Sequence, residues 1–205
     1  MKNTSRKLLI FCILSLVHFT ASGQDRAHLE PVFGVEWGGA LTLAEYYHWN
    51  YIAGEGNRVD EKGNIYSFKS TGVLMAKAGV RFYDHYTATL NSGIIGIRQQ
   101  RSAVPITARF TYSFHPYDTN GWICFLEGGA VYPNRYYANF IAESGAGYRL
   151  NLSHRFSLDF TVSLRVCGDE RQITDPETGN EVDVWNIRKN NSLFHAACYK
   201  IALNF

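Results

Sequence analysis

Cysteine is scarce in this chain of 205 residues, which contains four of them. Cys12 falls within an apolar N-terminal stretch, so Cys124, Cys167 and Cys198 remain for the rest of the chain. An odd number of cysteines in an exported chain is a poor basis for a disulfide framework, and there is no Cys-x-x-Cys pair. We therefore expect three free thiols rather than disulfide-linked loops.

The chain also lacks an excess of charge and the residue patterns of common metal sites. Its net charge is +2, and removal of the basic residues Lys2, Arg6 and Lys7 leaves −1 for the remainder. This balance provides no basic surface for nucleic acid. The histidines form no HxH or HExxH pattern, and the acidic segments lack the EF-hand spacing. We expect no metal ion and no other cofactor.

Long hydrophobic runs are absent except near the N-terminus, where Leu8 to Phe19 is apolar. Basic residues precede this run, and the small residues Ala21-Ser22-Gly23 follow it, which is the pattern of a secretory signal. The sequence therefore predicts a signal peptide at 1–23 and one mature domain at 24–205. A transmembrane helix is the alternative, but this run is shorter than the ~20 apolar residues that a span requires.

The last segment, 192–205, shows strict alternation of the kind that places side chains on opposite faces of a β-strand. Its apolar face ends in Tyr199, Ile201, Leu203 and Phe205, and Lys200 lies on the other face. A strand that ends on an aromatic residue without a polar tail is typical of a membrane barrel that closes on its last strand. We interpret the chain as an all-β, eight-stranded, antiparallel up-and-down transmembrane β-barrel.

Seven further segments alternate in the same way and supply the other strands. With the last strand, the predicted ranges are 31–44, 72–82, 87–98, 105–114, 122–132, 140–150, 156–166 and 192–205. Isoleucines on both faces of the third strand predict a bulge or register change near Gly93 or Gly96. If Phe205 pairs near Arg155, Cys198 lies opposite about Ser163. Cys167 is then ~13 Å further along, beyond the ~7 Å reach of a disulfide.

The connections are unequal, with short turns alternating with longer segments, as in outer-membrane barrels with short periplasmic turns. This asymmetry predicts residence in the outer membrane with both termini in the periplasm. The longest connections, 45–70 and 168–191, are polar and are expected to be outer loops. Loops on a rigid scaffold often carry function, so these two are candidates for binding an extracellular ligand.

The less apolar face of the strands combines glycine with charges of both signs. A soluble lipocalin-like barrel would place this face in water, where long polar side chains are favoured over glycine. A narrow lumen instead requires small residues and paired charges, because an unpaired buried charge is costly. The predicted lumen charge network comprises Glu36, Lys77, Arg81, Arg109, Glu127, Glu143, Arg149, Asp159, Arg165 and Lys200.

Three motifs resemble the porin-like outer-membrane β-barrel proteins that are common in Bacteroidetes. They are IIGIRQQRSAVPITARFTYSFHP, CFLEGGAVYP and GAGYRLNLSHRFSLDFTVSL, and the similarity extends over residues 93–205. The resemblance implies a small eight-stranded barrel surrounded by outer-membrane lipid, with no particular substrate. In similar proteins the terminal aromatic strand is the feature that the barrel-assembly machinery recognises, which implies this role for Tyr199, Ile201, Leu203 and Phe205.

The interior of an eight-stranded barrel is filled by side chains, so the network is expected to be a plug. A path for protons or small solutes is the alternative. We expect a non-enzymatic protein with a structural, surface-interaction or small-solute role. The other possibility is a lipid-modifying enzyme of the lipid A deacylase or acyltransferase type. Its best candidates would be Ser192 and His195 with an acid from the last loop.

Overall fold

The computed structural model describes residues 29–98, 101–134, 137–153, 155–170, 173–175 and 179–205, and the predicted signal peptide lies outside these residues. Eight strands follow one another, each pairing antiparallel with the next, and the last pairs with the first to close the barrel. The strands are β1 (Glu30–Ile52), β2 (Arg58–Phe82), β3 (Tyr86–Arg98), β4 (Arg101–Ser113), β5 (Gly121–Asn134), β6 (Tyr137–Ser153), β7 (Phe156–Asp169) and β8 (Ile187–Asn204). The predicted fold class is confirmed.

The side chains of the barrel wall have inverted polarity relative to a soluble protein. Along β7, Val162 and Leu164 are 68% and 63% exposed, whereas Arg165, the residue after Leu164, is 4% exposed. Apolar side chains that cover the outside and charged side chains that fill the inside define a transmembrane barrel. Within the described residues, no helix is long and apolar enough to cross a membrane.

The two ends of the barrel differ in length and in structure. At the first, which we call the turn end, short connections join β2 to β3, β4 to β5 and β6 to β7. Tyr83 and Asp84 occupy the left-handed region there, with φ of 53° and 52°, within the three-residue connection between the paired residues Phe82 and Tyr86. Phe205 also lies at the turn end, where its backbone exchanges two hydrogen bonds of 2.9 Å with Phe33.

We call the opposite end the ribbon end. The prediction of an irregular loop at 45–70 is wrong here. β1 continues to Ile52 and β2 starts at Arg58, so this segment is a paired β-ribbon. Its alternating residues Tyr47, Trp49 and Tyr51 favour a strand, and the glycines and charges nearby concealed that pattern. β8 pairs with β1 as far as Tyr51. Residues 44–52, 58–66 and 187–195 therefore form a three-stranded extension, which we call the extended sheet.

The predicted loop 168–191 is also shorter than expected. β7 ends at Asp169, and β8 begins at Ile187 after a 3₁₀ turn at Val184–Asn186. Between them, Thr174 and Glu181 form an isolated β-bridge, and Ile173 packs with Tyr51 and Ala53 in a small apolar cluster. The amide of Gly54 donates a 2.9 Å hydrogen bond to Asp175, so this segment is fastened to the tip of the ribbon.

Two predictions about strand pairing are confirmed. The pairing of β3 with β4 shifts between Gly96 and Arg98, which confirms the expected irregularity near Gly96. Cys198 lies directly opposite Ser163, as predicted. The three cysteines are free thiols; Cys167 and Cys198 are buried and Cys124 is partly buried.

Candidate functional site

Six charged side chains form one connected row across the lumen, which we call the charge chain. Arg109 of β4 makes a bidentate contact with Glu36 of β1, with Nη1–Oε2 and Nη2–Oε1 distances of 2.5 and 2.8 Å. Glu36 also pairs with Lys200 of β8, whose Nζ lies 3.0 Å from its Oε1. Because β1 and β4 are not neighbours in the sheet, these contacts cross the interior of the barrel.

The charge chain continues at both ends and alternates in sign. Beyond Arg109 lies Glu127, with the Arg109 Nε 2.7 Å from the Glu127 Oε2. Beyond Lys200 lies Glu143, which contacts the Lys200 ammonium and accepts a 2.9 Å hydrogen bond from Arg165. Three carboxylates thus neutralise three cations. Paired and hydrogen-bonded charges of this kind are the form in which a buried charge is tolerated.

Hydroxyl groups satisfy the outer carboxylates of the charge chain. The hydroxyl of Thr107 donates to Glu127, and that of Ser163 donates to Glu143 over 2.6 Å. The Phe125 ring lies between the cations, 4.4 Å from the Arg109 guanidinium and 5.4 Å from the Lys200 ammonium. These contacts fix the side chains in place and leave the lumen filled at this level.

A second group lies closer to the turn end. The Arg149 guanidinium holds Asp159 with two hydrogen bonds of 2.6 and 2.8 Å, and the Asn204 amide donates to the same carboxylate over 2.9 Å. Lys77 is buried nearby and lines, with Arg149 and Asp159, a cavity of about 20 Å³. That volume suits one water molecule. Gly34 is required beside Lys77, because a Cβ there would lie 2.6 Å from the backbone oxygen of Leu203, which cannot move aside as the Lys77 side chain could.

Nine of the ten predicted network residues are buried in the lumen, and Arg81 differs from them. It lies at the turn end, where it pairs with Glu30 and, over 3.2 Å, with Asp118. Its guanidinium is 4.0 Å from the centre of the Tyr117 ring, and that of Arg149 lies at the same distance from this ring. Arg81 is the penultimate residue of β2, so its side chain lies at the mouth of the lumen rather than inside it.

Tyr117 is a functional candidate that the sequence analysis did not identify. It belongs to the β4–β5 turn, and its ring lies between two guanidinium groups, which makes it a cover over the charged lumen. Its carbonyl accepts a 3.1 Å hydrogen bond from the Asn151 side chain. The turn-rich sequence HPYDTNG predicts where the chain reverses and carries no signal that the tyrosine folds inward.

The half of the lumen nearer the ribbon end is lined mainly by apolar side chains, which the sequence analysis also missed, and the buried polar residues Glu45, Asp169 and Ser192 lie beyond them. We call it the apolar half, and the half nearer the turn end the charged half. Ile95, Val131 and Phe194 are 1%, 0% and 4% exposed in it. The complete cluster is Ala40, Val73, Met75, Ile95, Ile97, Ala103, Val131, Ile141, Cys167, Phe194, Ala196 and Cys198. The cavity left among these side chains is about 20 Å³, so the barrel is also filled at this level.

The extended sheet has two distinct faces. On the face that continues the lumen, the rings of Tyr47 and Trp49 lie 4.3 Å apart, and the Tyr47 hydroxyl donates to Glu61 over 2.9 Å. On the opposite face, His48 and Asp60 are joined by a 2.8 Å contact. This hydrogen bond holds the pKa of Asp60 below its usual value.

The candidate enzymatic pair does not assemble. Ser192 is buried on the lumen side of β8, whereas His195 is exposed on the outside. The two positions are three apart, and an odd separation in a strand places side chains on opposite faces. No group of histidine, cysteine and acidic side chains that could hold a metal ion occurs in the described part of the chain.

Comparisons with known proteins yield only low similarities to solved structures. No protein-family model matches it, and no curated protein matches its sequence. The outer membrane protein AlkL, solved by solid-state NMR in DMPC bilayers, shares 10% identity. That match covers 84% of this chain and 90% of AlkL, with a TM-score of 0.37.

The secretin InvG of the Salmonella SPI-1 type III secretion injectisome, in its open gate state, shares 9% identity. The match covers 93% of this chain and 64% of the InvG chain, with a TM-score of 0.26. At these TM-scores neither similarity bears on the function, which must be argued from the residues of this chain.

Proposed function

We propose that this chain is a non-enzymatic outer-membrane protein whose barrel is sealed along its axis. Its role is a structural or surface-interaction one, exerted through the ribbon end, which faces the outside of the cell. The charge chain is the observation that carries the proposal. It crosses the lumen from β1 to β4 and is neutral as a set. A solute would have to break these pairs, because the cavities described beside them, of about 20 Å³ each, suit single water molecules.

The length of the ribbon end supports a role at that surface. β2 continues from Lys69 to Arg58 beyond the tip of β3, which corresponds to roughly 36 Å at the usual rise per residue. An extension of this size, fastened by Asp175 and packed around Tyr51, goes beyond what closing the barrel requires. Ordered surface segments on a rigid scaffold are where binding residues are commonly found.

Location and orientation can be tested by labelling single introduced cysteines in intact cells. Glu55 and Thr119 are exposed in the turns at opposite ends of the barrel. We expect Glu55→Cys to react with a membrane-impermeant maleimide and Thr119→Cys to react only after the cells are lysed. Labelling of Thr119→Cys alone in intact cells would reverse the orientation. Recovery of the protein in the soluble periplasmic fraction would refute membrane residence.

The proposal also keeps the assembly role predicted for the last strand. Phe205 pairs with Phe33 and therefore helps to close the sheet, which otherwise would have an open edge. We expect Phe205→Ala to lower the amount of inserted barrel far more than the stability of the barrel that does insert. Leu193→Ala, at the other end of the same strand, is the control. Equal yields in the outer membrane for both variants would remove the special role of Phe205.

The absence of catalysis is part of the proposal and has its own test. Mass spectra of lipid A from cells with and without the gene should be identical. A change in acyl chain number would instead favour a lipid-modifying enzyme, and its catalytic residues would have to be sought away from Ser192 and His195.

A further inference from the structure

The two faces of the extended sheet carry opposite charge. Directly opposite residues in a strand pair project to the same face, and Glu45 lies opposite the buried Phe194. Glu45 therefore belongs to the lumen face, and the alternation places Glu61 with it. Lys62 and Asn191 both lie opposite His48, which belongs to the other face. We call this second face the outward face, because it continues the lipid-facing wall of the barrel.

Cations dominate the outward face. Besides Lys62, it carries Lys189, which lies opposite Asn50, and Arg58, which lies opposite Ile52. Its acidic residue Asp60 is engaged by His48 over 2.8 Å. Arg58 donates a 3.1 Å hydrogen bond to Asn50. Lys62 and Lys189 are both exposed. Their ammonium groups are therefore the ones on this face that can bind an anionic ligand.

Apolar and aromatic side chains lie immediately below these cations, on the side of the membrane. Tyr46 and Tyr66 are 40% and 76% exposed on the same face, and Leu193 lies opposite Tyr46. Each further pair of residues along a strand advances roughly 7 Å, so Lys62 lies one such step and Lys189 two such steps beyond the level of Tyr46 and Leu193. Aromatic girdles mark the interface of a membrane barrel, and a long lysine side chain extends from there to the headgroup level.

From this arrangement we infer that the outward face of the extended sheet binds phosphate groups of the surrounding membrane lipids, through Lys62 and Lys189. The occupant is an anionic lipid headgroup in the leaflet at the ribbon end. Tyr46 and Tyr66 set the depth of the extended sheet relative to the acyl chains of the membrane. At that depth the ammonium groups of Lys62 and Lys189 contact the lipid phosphates. The lumen face carries Glu45 and Glu61 instead, which disfavours its approach to an anionic lipid.

This inference rests on the membrane residence proposed above, and the test separates the two. The full chain is reconstituted in vesicles of phosphatidylcholine with and without phosphatidylglycerol. The number of lipids of each kind that stay bound after mild detergent extraction is then measured by native mass spectrometry. We expect a preference for phosphatidylglycerol that falls as the salt concentration rises. Failure to insert into either vesicle would refute membrane residence instead.

The decisive comparison is between two variants with the same change in charge on the same strand. Lys62→Glu alters the outward face, whereas Lys69 lies opposite the buried Thr42 and therefore on the lumen face. A basic residue near a membrane surface changes lipid binding roughly fivefold. We expect Lys62→Glu and Lys189→Glu each to reduce the preference for phosphatidylglycerol by at least this factor. Lys69→Glu should leave the preference unchanged.

Two results would overturn the inference. One is an equal loss of preference in Lys62→Glu and Lys69→Glu, which would show that only total charge matters. The other is a wild-type protein that retains both lipids equally. In a competition experiment, inorganic phosphate is added before the lipids are counted. If it abolishes the preference for phosphatidylglycerol, the site binds free phosphate, which would also contradict a lipid-specific surface. Faster migration of unboiled than boiled samples on gels confirms that each variant is folded before the lipids are counted.

Discussion

The two halves of the lumen close the barrel by different physical means. In the charged half, Glu36 is 1% exposed and depends on two cations for its stability. In the apolar half, Ile95 is equally buried and depends on packing alone. A charge in a dry interior is stable only while its partner is present, whereas an apolar side chain loses its contacts gradually as it is shortened.

This difference implies different consequences for mutation. In the charged half, a single substitution leaves a buried charge without its counterion, and a second substitution in its partner can restore neutrality. In the apolar half, no second substitution is needed or helpful, because the loss is local. The charged half should therefore determine one unique packing of the lumen, while the apolar half tolerates exchange among side chains of similar volume.

The largest effect is expected for Glu36→Gln, which leaves Arg109 and Lys200 with an excess of positive charge. We expect a loss of about 3–5 kcal/mol in the free energy of unfolding, the range for breaking a buried ion pair. The measurement is equilibrium unfolding in urea of the protein inserted in vesicles.

The control for this prediction is the double variant Glu36→Gln with Lys200→Met. It leaves the pairs Arg109–Glu127 and Arg165–Glu143 intact, so the lumen is again neutral. We expect the double variant to recover most of the lost stability. Losses that simply add would show that the two residues do not act as a pair.

In the apolar half, a smaller and graded effect is expected. Ile95→Ala should lower the free energy of unfolding by about 2–4 kcal/mol, and Ile95→Val by about 1 kcal/mol. The same urea titration measures both. If Ile95→Val were as harmful as Glu36→Gln, the apolar half would be as specific as the charged half, and the distinction between them would fail.

The smallest effect concerns the extended sheet, beyond both halves. The hydrogen bond from His48 lowers the pKa of Asp60 in the folded protein. Its contribution is thus present above the pKa of unfolded aspartate and is lost as the pH falls through the lowered folded value. In His48→Ala, the pKa of Asp60 should rise toward the usual value. An NMR titration of the Asp60 carboxyl carbon measures this shift. An unchanged pKa would show that the hydrogen bond from His48 does not affect Asp60.

The number of strands and the inward direction of the charges were predictable, because alternation is visible in one segment at a time. Along β7, Asp159 and Arg165 alternate with lipid-facing leucine and valine, and no other strand is needed to assign their face. The apolar half was not predicted because Ile95 and Ile97 share their strand with outward-facing Ile94. Their direction depends on the register with β2 and β4.

The partners within the charge chain were also beyond the sequence. Which carboxylate meets Arg109 depends on the stagger of the strands around the closed barrel, and Glu36 is 73 positions away. The ribbon was mistaken for a loop because glycine and charge outweighed its alternating aromatic residues. The separation of Ser192 from His195, in contrast, follows from the parity of their positions and was available from the sequence.

Conductance tests the central claim most directly, since both halves of the lumen are held to be closed. The protein is reconstituted in a planar bilayer at neutral pH, and single-channel currents are recorded for the wild type and for the Glu36→Gln variant. We expect no stable channels of porin size in the wild type, and any brief openings should appear only in the variant. Stable porin-sized steps in the wild type would show that the lumen is open, because they require a path beside the charge chain.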